Sequence, residues 1–155
     1  MIELCKAKIS DIADMQTLVA DEVEKGVILF RSEDEIANNI RSYVLAKDGT
    51  KLVGYTALHV HSKKLAEVRS LVVHEDYRGK DIGADMVKFA INEAKELGIE
   101  EEILSLTYVP EFFKKLGFKE INKESIPDHK IWADCIKCIH FPVCNEVALV
   151  YSMKV

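Results

Sequence analysis

Residues 68–84 read VRSLVVHEDYRGKDIGA, an apolar run rich in valine, then a short polar turn, then the start of a long amphipathic segment. A strand that passes through a glycine-containing loop into a helix N-terminus presents backbone N–H groups and the positive end of the helix dipole to an anion. We therefore interpret the turn as a loop that binds a diphosphate. The predicted loop consists of Arg78, Gly79, Lys80, Asp81, Ile82, Gly83 and Ala84.

The segments on both sides of this loop extend the pattern. Apolar residues recur at helical spacing from residue 82 to residue 97, and Gly98 follows as a helix stop. Residues 101–107 then form the next predicted strand. Because a helix connects it to the strand at 65–73, we expect the two strands to be parallel, with a right-handed crossover. A tight strand-to-helix turn with glycine is common by itself, so the loop needs this context to indicate a binding site.

The rest of the chain predicts further helices and strands around the same sheet. Residues 2–9 alternate as a strand, Ser10 and Asp11 precede a helix that Gly26 ends, and Ser32 with Glu35 forms a capping box. Residues 47–50 read KDGT, an Asp-Gly hairpin signal. We predict a single domain over residues 1–155, of class α/β (α+β by stricter naming), with one mixed sheet covered by helices on both faces.

Composition excludes several classes of function. The 155 residues are 48% hydrophobic and 30% charged, with a net charge of −5, which is typical of a globular protein without a general basic surface for nucleic acid. No apolar stretch approaches the ~20 residues that span a bilayer, and no signal peptide is apparent. We therefore expect a cytoplasmic protein that binds neither nucleic acid nor membrane.

The four cysteines are Cys5, Cys135, Cys138 and Cys144, and in the cytoplasm they are expected to be thiols or metal ligands rather than disulfides. Cys135 and Cys138 have zinc-knuckle spacing, so zinc held with Cys144 is one interpretation. A redox pair is another. Small buried thiols in an irregular pocket wall are the third, and we favour it. The chemistry proposed below requires no metal.

The order of elements, together with FFKKLGF at residues 112–118, resembles the GNAT superfamily of N-acetyltransferases. The acetyl-CoA loop of that family reads Arg/Gln-x-x-Gly-x-Gly/Ala, which aligns Arg78, Asp81 and Gly83. Asp81 departs from the pattern, because the family has glycine there and a carboxylate beside a diphosphate is unfavourable. The resemblance implies acetyl-CoA as co-substrate and a GNAT fold whose fourth and fifth strands are splayed.

The same resemblance implies where the reaction takes place. Pantetheine would enter the gap between the splayed strands and pair with the backbone of Leu71, Val72 and Val73, and the N–H near Leu71 would polarise the thioester. Phe112 and Phe113 would pack against the cofactor. Glu67 occupies the position of the family's catalytic base. Phe113 cannot act as the general acid that many relatives have there. Tyr108 is a nearby candidate for that role, with ordinary packing as the alternative, so the general acid stays open.

Three segments and the tail resemble a narrower family. They are GVILFRS at 26–32, EVRSL at 67–71, LTYVPEFF at 106–113, and the tail from HKIW at 129–132 to CNEVAL at 144–149. Together they are similar to the short single-domain amino-acid N-acetyltransferases of the N-acetylglutamate synthase type. Glutamate brings two carboxylates, so its pocket needs cations, and Arg31, Arg69 and Lys130 are the candidates. His59 and His61 alternate onto one strand face, which suggests packing or a surface role.

The expected activity is therefore acetyl-CoA-dependent N-acetylation of an amino acid, with L-glutamate as the leading acceptor, N-acetyl-L-glutamate as the product and arginine biosynthesis as the pathway. Transfer would be direct, in a ternary complex. Two alternatives stay open: a different amine acceptor (another amino acid, a polyamine or a protein N-terminus), or a sensor that binds CoA or an amino acid without catalysis. The resemblance also implies a homodimer.

Overall fold

The computed structural model describes residues 1–122, 125 and 146–154 of the chain. These residues form one seven-stranded sheet with the spatial order β1-β2-β3-β4-β5-β7-β6. Only β4 and β5 run parallel, and the other neighbouring pairs are antiparallel. The strands are β1 Ile2–Lys6, β2 Tyr43–Asp48, β3 Lys51–Val60, β4 Leu65–Val73, β5 Glu102–Thr107, β6 Lys119–Ile121 and β7 Val147–Ser152.

Helices cover both faces of this sheet, as predicted. Residues of α1 and α2 pack with Tyr43, Leu45 and Tyr55 in the apolar cluster on one face. Residues of α3 pack against the opposite face, in one cluster that includes Leu58, Val68 and Ile103 and in a second cluster that includes Val44 and Val53. The helices are α1 Ile12–Glu24, α2 Glu33–Asn38, α3 Ile82–Leu97 and α4 Pro110–Lys115.

Most local signals in the sequence produce the expected element. The Ser32 capping box is present, with the Glu35 N–H donating to Ser32 Oγ at 3.2 Å and the Ser32 N–H donating to Glu35 Oε1 at 3.4 Å. Gly98 ends α3 with φ 81°, a left-handed conformation that glycine adopts without strain. The hairpin at 47–50 connects β2 to β3.

The first strand is shorter than predicted. It ends at Lys6, and residues 9–11 form a 3₁₀ turn instead of continuing the strand. The cause is Asp11, whose Oδ2 accepts from the Lys8 N–H at 2.8 Å and closes the chain on itself. The same carboxylate also accepts from Lys47 Nζ at 2.9 Å, so it does not cap α1 with its side chain.

The sheet splits between β4 and β5. Their parallel pairing extends only over Leu65–Glu67 and Glu102–Leu104. Beyond that point β4 continues beside β3, while β5 remains paired with β7 through Thr107. The splayed strands implied by the family resemblance are therefore present, and they open a gap lined by strand backbone.

A bulge in β4 coincides with the start of this gap. The register with β3 shifts between Tyr55 and Ala57, and Ser70 adopts φ 59°, an unusual conformation for a residue other than glycine. Thr56, which is fully buried, donates from Oγ1 to the Arg69 carbonyl at 3.0 Å. A bulge bends its strand and increases the local twist, so it turns the second half of β4 away from β5.

Some predicted features cannot be placed. Lys130 and the cysteines Cys135, Cys138 and Cys144 lie outside the described residues. Cys5, on β1, is described and is exposed. Among the described residues, the helices are too short and too polar for any of them to cross a membrane.

Candidate active site

A cavity of about 320 Å³ opens where β4 and β5 separate. Its wall is assembled from three stretches that are far apart in sequence, residues 26–31, 67–71 and 105–109, together with Val23, Phe113 and Glu146. The predicted residues that share this wall are Arg31, Glu67, Arg69, Leu71, Tyr108 and Phe113. We refer to this space as the acceptor cavity.

Glu67 is the most deeply buried charged side chain of the cavity wall, with only 2% of its surface exposed. Its Oε1 lies 2.9 Å from Nε2 of His61, whose side chain is 3% exposed. A buried carboxylate is stabilised in its charged form by hydrogen bonds that it accepts. This arrangement suits a proton acceptor that faces a substrate amine.

Arg69 lies two residues further along the same face of β4. Its Nη2 donates to Nδ1 of His59 at 3.1 Å. The rings of His59 and His61 are in edge-to-face contact, with centroids 4.7 Å apart. The two charged side chains of β4 are therefore connected through His59 of β3 and through His61, which directly follows that strand.

These histidines were missed as site residues, because the sequence suggested packing or a surface role for them. The available signal was the alternation itself: His59 and His61 share a strand face, and so do Glu67 and Arg69. The sequence does not show the register between β3 and β4. In the structure this register pairs His59 with Glu67 and places all four side chains on one side of the sheet.

Arg31 reaches the cavity from the connection between α1 and α2. This connection is held at its start by Val27 N–H, which donates to the Glu22 carbonyl at 2.9 Å, and at its end by Gln16, whose Nε2 donates to the Arg31 carbonyl at 3.4 Å. The Arg31 side chain is 13% exposed, and its Nη1 lies 3.7 Å from Glu35 Oε2. The Arg31 side chain thus places a largely buried positive charge at the cavity wall.

Leu71, Tyr108 and Phe113 form the remaining predicted part of the wall. Tyr108 lines the cavity and is 37% exposed. Phe113 is 3% exposed and packs edge-to-face between Phe112 and Phe118 at centroid distances of 5.0 and 5.1 Å. Phe113 therefore serves the hydrophobic core as well as the cavity.

The predicted diphosphate loop lies at the N-terminus of α3 and has two residues in left-handed conformations. Gly79 has φ 79° and Asp81 has φ 64°. Aspartate is one of the few residues other than glycine that tolerate this region, which explains how Asp81 occupies a position where the family has glycine. Its side chain makes no capping hydrogen bond to α3, so the N–H groups of the first turn are left for another acceptor.

Gly83 allows α3 to approach the short helix α4 closely. A Cβ at this position would lie 3.4 Å from Cζ of Phe112 and 3.7 Å from Cγ2 of Val73. Phe112 therefore packs against the first turn of α3, beside the loop. Val72 and Ile82, each 4% exposed, point into the core, so only their backbone groups are accessible to a ligand.

The cations of the loop are already engaged with protein groups. Arg78 donates from Nε to the Val73 carbonyl at 3.0 Å, and its Nη2 lies 3.3 Å from Glu22 Oε1. Lys80 Nζ lies over the ring of Tyr77, 5.2 Å from its centroid. Both side chains are exposed, so water or an anion can compete for them.

The surroundings of two tyrosines raise the pKa of their hydroxyl groups. The Tyr77 hydroxyl donates to Asp48 Oδ2 at 2.7 Å, and this hydrogen bond raises the pKa of Tyr77 and lowers the pKa of Asp48. Burial raises the pKa of Tyr55 well above its usual range. Tyr55 lines a smaller cavity of about 270 Å³ that Arg31 and Glu24 also line.

The chain matches the model of the acetyltransferase (GNAT) family over residues 9–118, and it belongs to that family. It is therefore an acyltransferase. It is 35% identical over 147 residues to an uncharacterized N-acetyltransferase of Chlorobaculum tepidum, an alignment that covers 95% of this chain and 94% of that protein.

Other relatives are named amino-acid acetyltransferases. The chain is 26% identical over 127 residues to the one from Vibrio cholerae, which covers 81% of this chain but only 28% of that protein. This chain therefore corresponds to about a quarter of the length of that relative.

Two solved structures share the fold. The first is N-acetylglutamate synthase from Neisseria gonorrhoeae complexed with coenzyme A and N-acetyl-glutamate, with a TM-score of 0.88 and 20% identity, covering 100% of this chain and 36% of that one. The second is a Mycobacterium tuberculosis protein in complex with CoA, with a TM-score of 0.82 and 21% identity, covering 98% of this chain and 99% of that one.

Proposed function

We propose that this acetyltransferase transfers the acetyl group of acetyl-CoA to the α-amino group of an amino acid, with L-glutamate as the acceptor and N-acetyl-L-glutamate as the product. The observation that carries the proposal is the acceptor cavity, which combines one buried carboxylate, Glu67, with two guanidinium groups, Arg31 and Arg69, beside the gap between β4 and β5. The pathway would then be arginine biosynthesis.

Acetyl-CoA fits the split sheet and the loop. The second half of β4, residues 68–73, has no β5 partner beyond Glu67, so its edge is available to pantetheine amides. The diphosphate would bind at the first turn of α3, at the N–H groups of Gly83 and Ala84. Arg78 would exchange its ion pair with Glu22 for the diphosphate. Solved members of this fold bind CoA, which agrees with this assignment.

The acceptor would bind through its carboxylates. Arg69 and Arg31 are arranged as two separate cations on the wall of one cavity, which matches an acceptor with two carboxylates better than a polyamine. A guanidinium fork binds a carboxylate with two parallel hydrogen bonds, and partial burial strengthens them. Lys130 is a third proposed cation, outside the described residues.

The reaction needs a neutral amine. Glu67 would remove a proton from the α-ammonium group, directly or through one water, and the amine nitrogen would then form a bond to the thioester carbonyl carbon. The N–H near Leu71 would stabilise the oxyanion. Collapse of the tetrahedral intermediate breaks the C–S bond, and Tyr108 would give a proton to the departing CoA thiolate. The protonated amide nitrogen would return a proton to the Tyr108 phenolate, and Glu67 would release its proton to water. Transfer is thus direct, without an acetylated enzyme.

A turnover assay tests the proposal. Release of free thiol from acetyl-CoA would be measured with a panel that contains L-glutamate, L-glutamine, L-aspartate, L-lysine, a polyamine and a peptide N-terminus. We expect the highest kcat/KM for L-glutamate. We also expect Arg69→Ala and Arg31→Ala to raise the glutamate KM about 10- to 100-fold, because each removes a charge-assisted hydrogen-bonding group.

The same assay separates the competing functions. A higher kcat/KM for the polyamine or the peptide than for every amino acid would show that the acceptor is another amine. Binding of acetyl-CoA by calorimetry without thiol release from any acceptor would indicate a sensor. An unchanged glutamate KM in either arginine variant would remove that residue from the carboxylate site. We further propose that residues 1–155 act as a single domain, in the cytoplasm, and as a homodimer.

A further inference from the structure

His59, on β3, and His61, just after the end of β3, lie behind the two charged side chains that β4 contributes to the acceptor cavity. Among the described residues, Glu67 and Arg69 line the cavity and His59 and His61 do not. The histidines instead contact the charged groups from the side of the neighbouring strand, one histidine to each charge. Their role in catalysis must therefore be exerted through Glu67 and Arg69.

The contact between His61 and Glu67 is completely buried. The two side chains are 3% and 2% exposed, and the Nε2 to Oε1 distance is 2.9 Å. When Glu67 is ionised, Nε2 of His61 must carry the proton and donate it to Oε1. A hydrogen bond from a buried donor favours the charged form of a desolvated carboxylate, and here it fixes the position of Oε1.

In the contact between His59 and Arg69, the histidine accepts the hydrogen bond instead of donating it. A guanidinium can only donate hydrogen bonds, so Nδ1 of His59 is the acceptor of the 3.1 Å bond from Arg69 Nη2. The proton of a neutral His59 ring then resides on Nε2. This bond fixes the orientation of the guanidinium fork, as partners behind a ligand-binding side chain commonly do.

The structure assigns separate positioning roles to these histidines: we propose that His61 holds the catalytic carboxylate of Glu67 and that His59 aims the carboxylate-binding fork of Arg69. This assignment rests on the proposed function of the cavity. It predicts that the two histidines act on different kinetic constants, although their rings touch. His61 should affect kcat because it positions Glu67, the proposed base. His59 should affect the KM of the amino acid because it orients Arg69, the proposed carboxylate-binding residue.

Other charges near Glu67 bear on its protonation. Among the described residues that line the same cavity, the charged and titratable side chains are Arg31, Arg69, Tyr108 and Glu146. Across the ladder on β5, Glu67 is paired with Leu104, which has no charge. The two arginines favour the ionised carboxylate and Glu146 disfavours it, and the hydrogen bond with His61 acts directly on Oε1 at 2.9 Å.

The test compares matched variants of the full chain. His61→Phe and His59→Phe each replace an imidazole by a flat ring that cannot form hydrogen bonds. His61→Gln keeps a donor for Glu67, and His59→Gln keeps an acceptor for Arg69. Leucine variants serve if phenylalanine prevents folding. Thermal unfolding and calorimetric binding of acetyl-CoA confirm that each variant retains the fold and the cofactor site.

We expect His61→Phe to lower kcat about 10- to 100-fold, with a change of less than about threefold in the KM of the amino acid. The acid limb of its kcat/KM profile should move to higher pH, because the buried carboxylate loses a donor and is protonated more easily. His61→Gln should recover most of the lost kcat. A merely structural role of His61 would leave the acid limb in place.

We expect His59→Phe to raise the KM of the amino acid about 5- to 20-fold with little change in kcat, and His59→Gln to recover most of that loss. The assignment is overturned if both phenylalanine variants lower kcat and raise KM alike, or if neither changes either constant. If the unmodified chain turns over no amino acid, the proposed function fails and this assignment fails with it. If it does turn over an amino acid, failure of the histidine variants contradicts only the assignment.

Discussion

The acceptor cavity lies beside β4 and the proposed diphosphate loop follows the end of the same strand, but the two regions are constructed differently. The loop is a continuous stretch, residues 78–84, and its charged side chains are exposed. The cavity takes its wall from three separated stretches, and its central carboxylate is 2% exposed. The loop therefore depends on local backbone conformation, whereas the cavity depends on the register of β3 and β4 and on the split between β4 and β5.

Burial also separates the two regions energetically. Exposed charges are screened by water and salt, so a single change in the loop has a small effect. A charge in the cavity wall interacts through a less polar medium, so removing it or its partner has a large effect. The following predictions test this difference, starting from the variant with the largest expected effect.

The first prediction concerns Glu67, the buried residue proposed as the base. Glu67→Gln keeps the shape of the side chain but cannot accept a proton, so kcat/KM for the amino acid should fall about 10²- to 10⁴-fold. Thiol release from acetyl-CoA measures this effect, and calorimetry should show unchanged affinity for acetyl-CoA. Glu75→Gln, an exposed change near the loop, is the control and should retain activity. A loss of less than tenfold in Glu67→Gln would exclude Glu67 as the base.

The second prediction concerns the close packing at the loop. Gly83→Val adds methyl groups toward Phe112, whose Cζ lies 3.4 Å from the position of a Cβ, and beside the N–H groups proposed to bind the diphosphate. Such overpacking commonly costs about 1–3 kcal/mol. We therefore expect the KM of acetyl-CoA to rise about tenfold while the KM of the amino acid is unchanged. Gly83→Ala, which makes only an ordinary contact, should be close to the unmodified enzyme; a large effect of alanine would contradict the packing explanation.

The third prediction concerns the bulge that separates the two regions. Ser70 has φ 59°, and a left-handed conformation costs a side-chain-bearing residue about 1–2 kcal/mol, most for a β-branched one. Ser70→Val should therefore lower the free energy of unfolding by about that amount, and Ser70→Gly should leave it unchanged or raise it. Thermal or denaturant unfolding measures both. If valine is tolerated as well as glycine, the bulge does not require the left-handed conformation.

The fourth prediction, with the smallest effect, concerns Asp81. Asp81→Asn removes an exposed carboxylate near the diphosphate but still tolerates φ 64°, so the KM of acetyl-CoA should fall about two- to fivefold. Asp81→Gly removes the charge and the conformational strain together, and comparison of the two variants separates these contributions. The effect of asparagine should shrink at high salt. An effect that salt does not change would have another cause.

Much of the fold follows from local sequence signals. The helix from Ile82 to Leu97, its stop at Gly98 and the Ser32 capping box are determined by periodicity and by residues within one turn of each other. The parallel pairing of β4 and β5 follows from the helix that connects them. The predicted end of β1 was three residues too late. The Lys8 N–H donates a hydrogen bond to the Asp11 carboxylate, and the predicted end of the strand forms a turn instead.

The candidate site was less accessible to sequence reasoning. Arg31, Glu67 and Arg69 were chosen by resemblance and by charge, and the structure brings all three to one cavity. The roles of His59 and His61 were missed, since a histidine on a strand face has no partner until the neighbouring strand is placed. Asp81 was regarded as a weakness in the loop, and its left-handed conformation shows how the chain accommodates it.

The sequence by itself determined the elements, their order and the loop at residues 78–84, because these depend on hydrophobic periodicity, capping and glycine placement over a few residues. Only the tertiary structure decided which charges meet. Glu67 and His61 are hydrogen-bonded because β3 and β4 pair in a register that places His59 opposite Glu67. Arg31 joins them because its connection is held against α1. Such contacts depend on long-range packing, which no short stretch of sequence specifies.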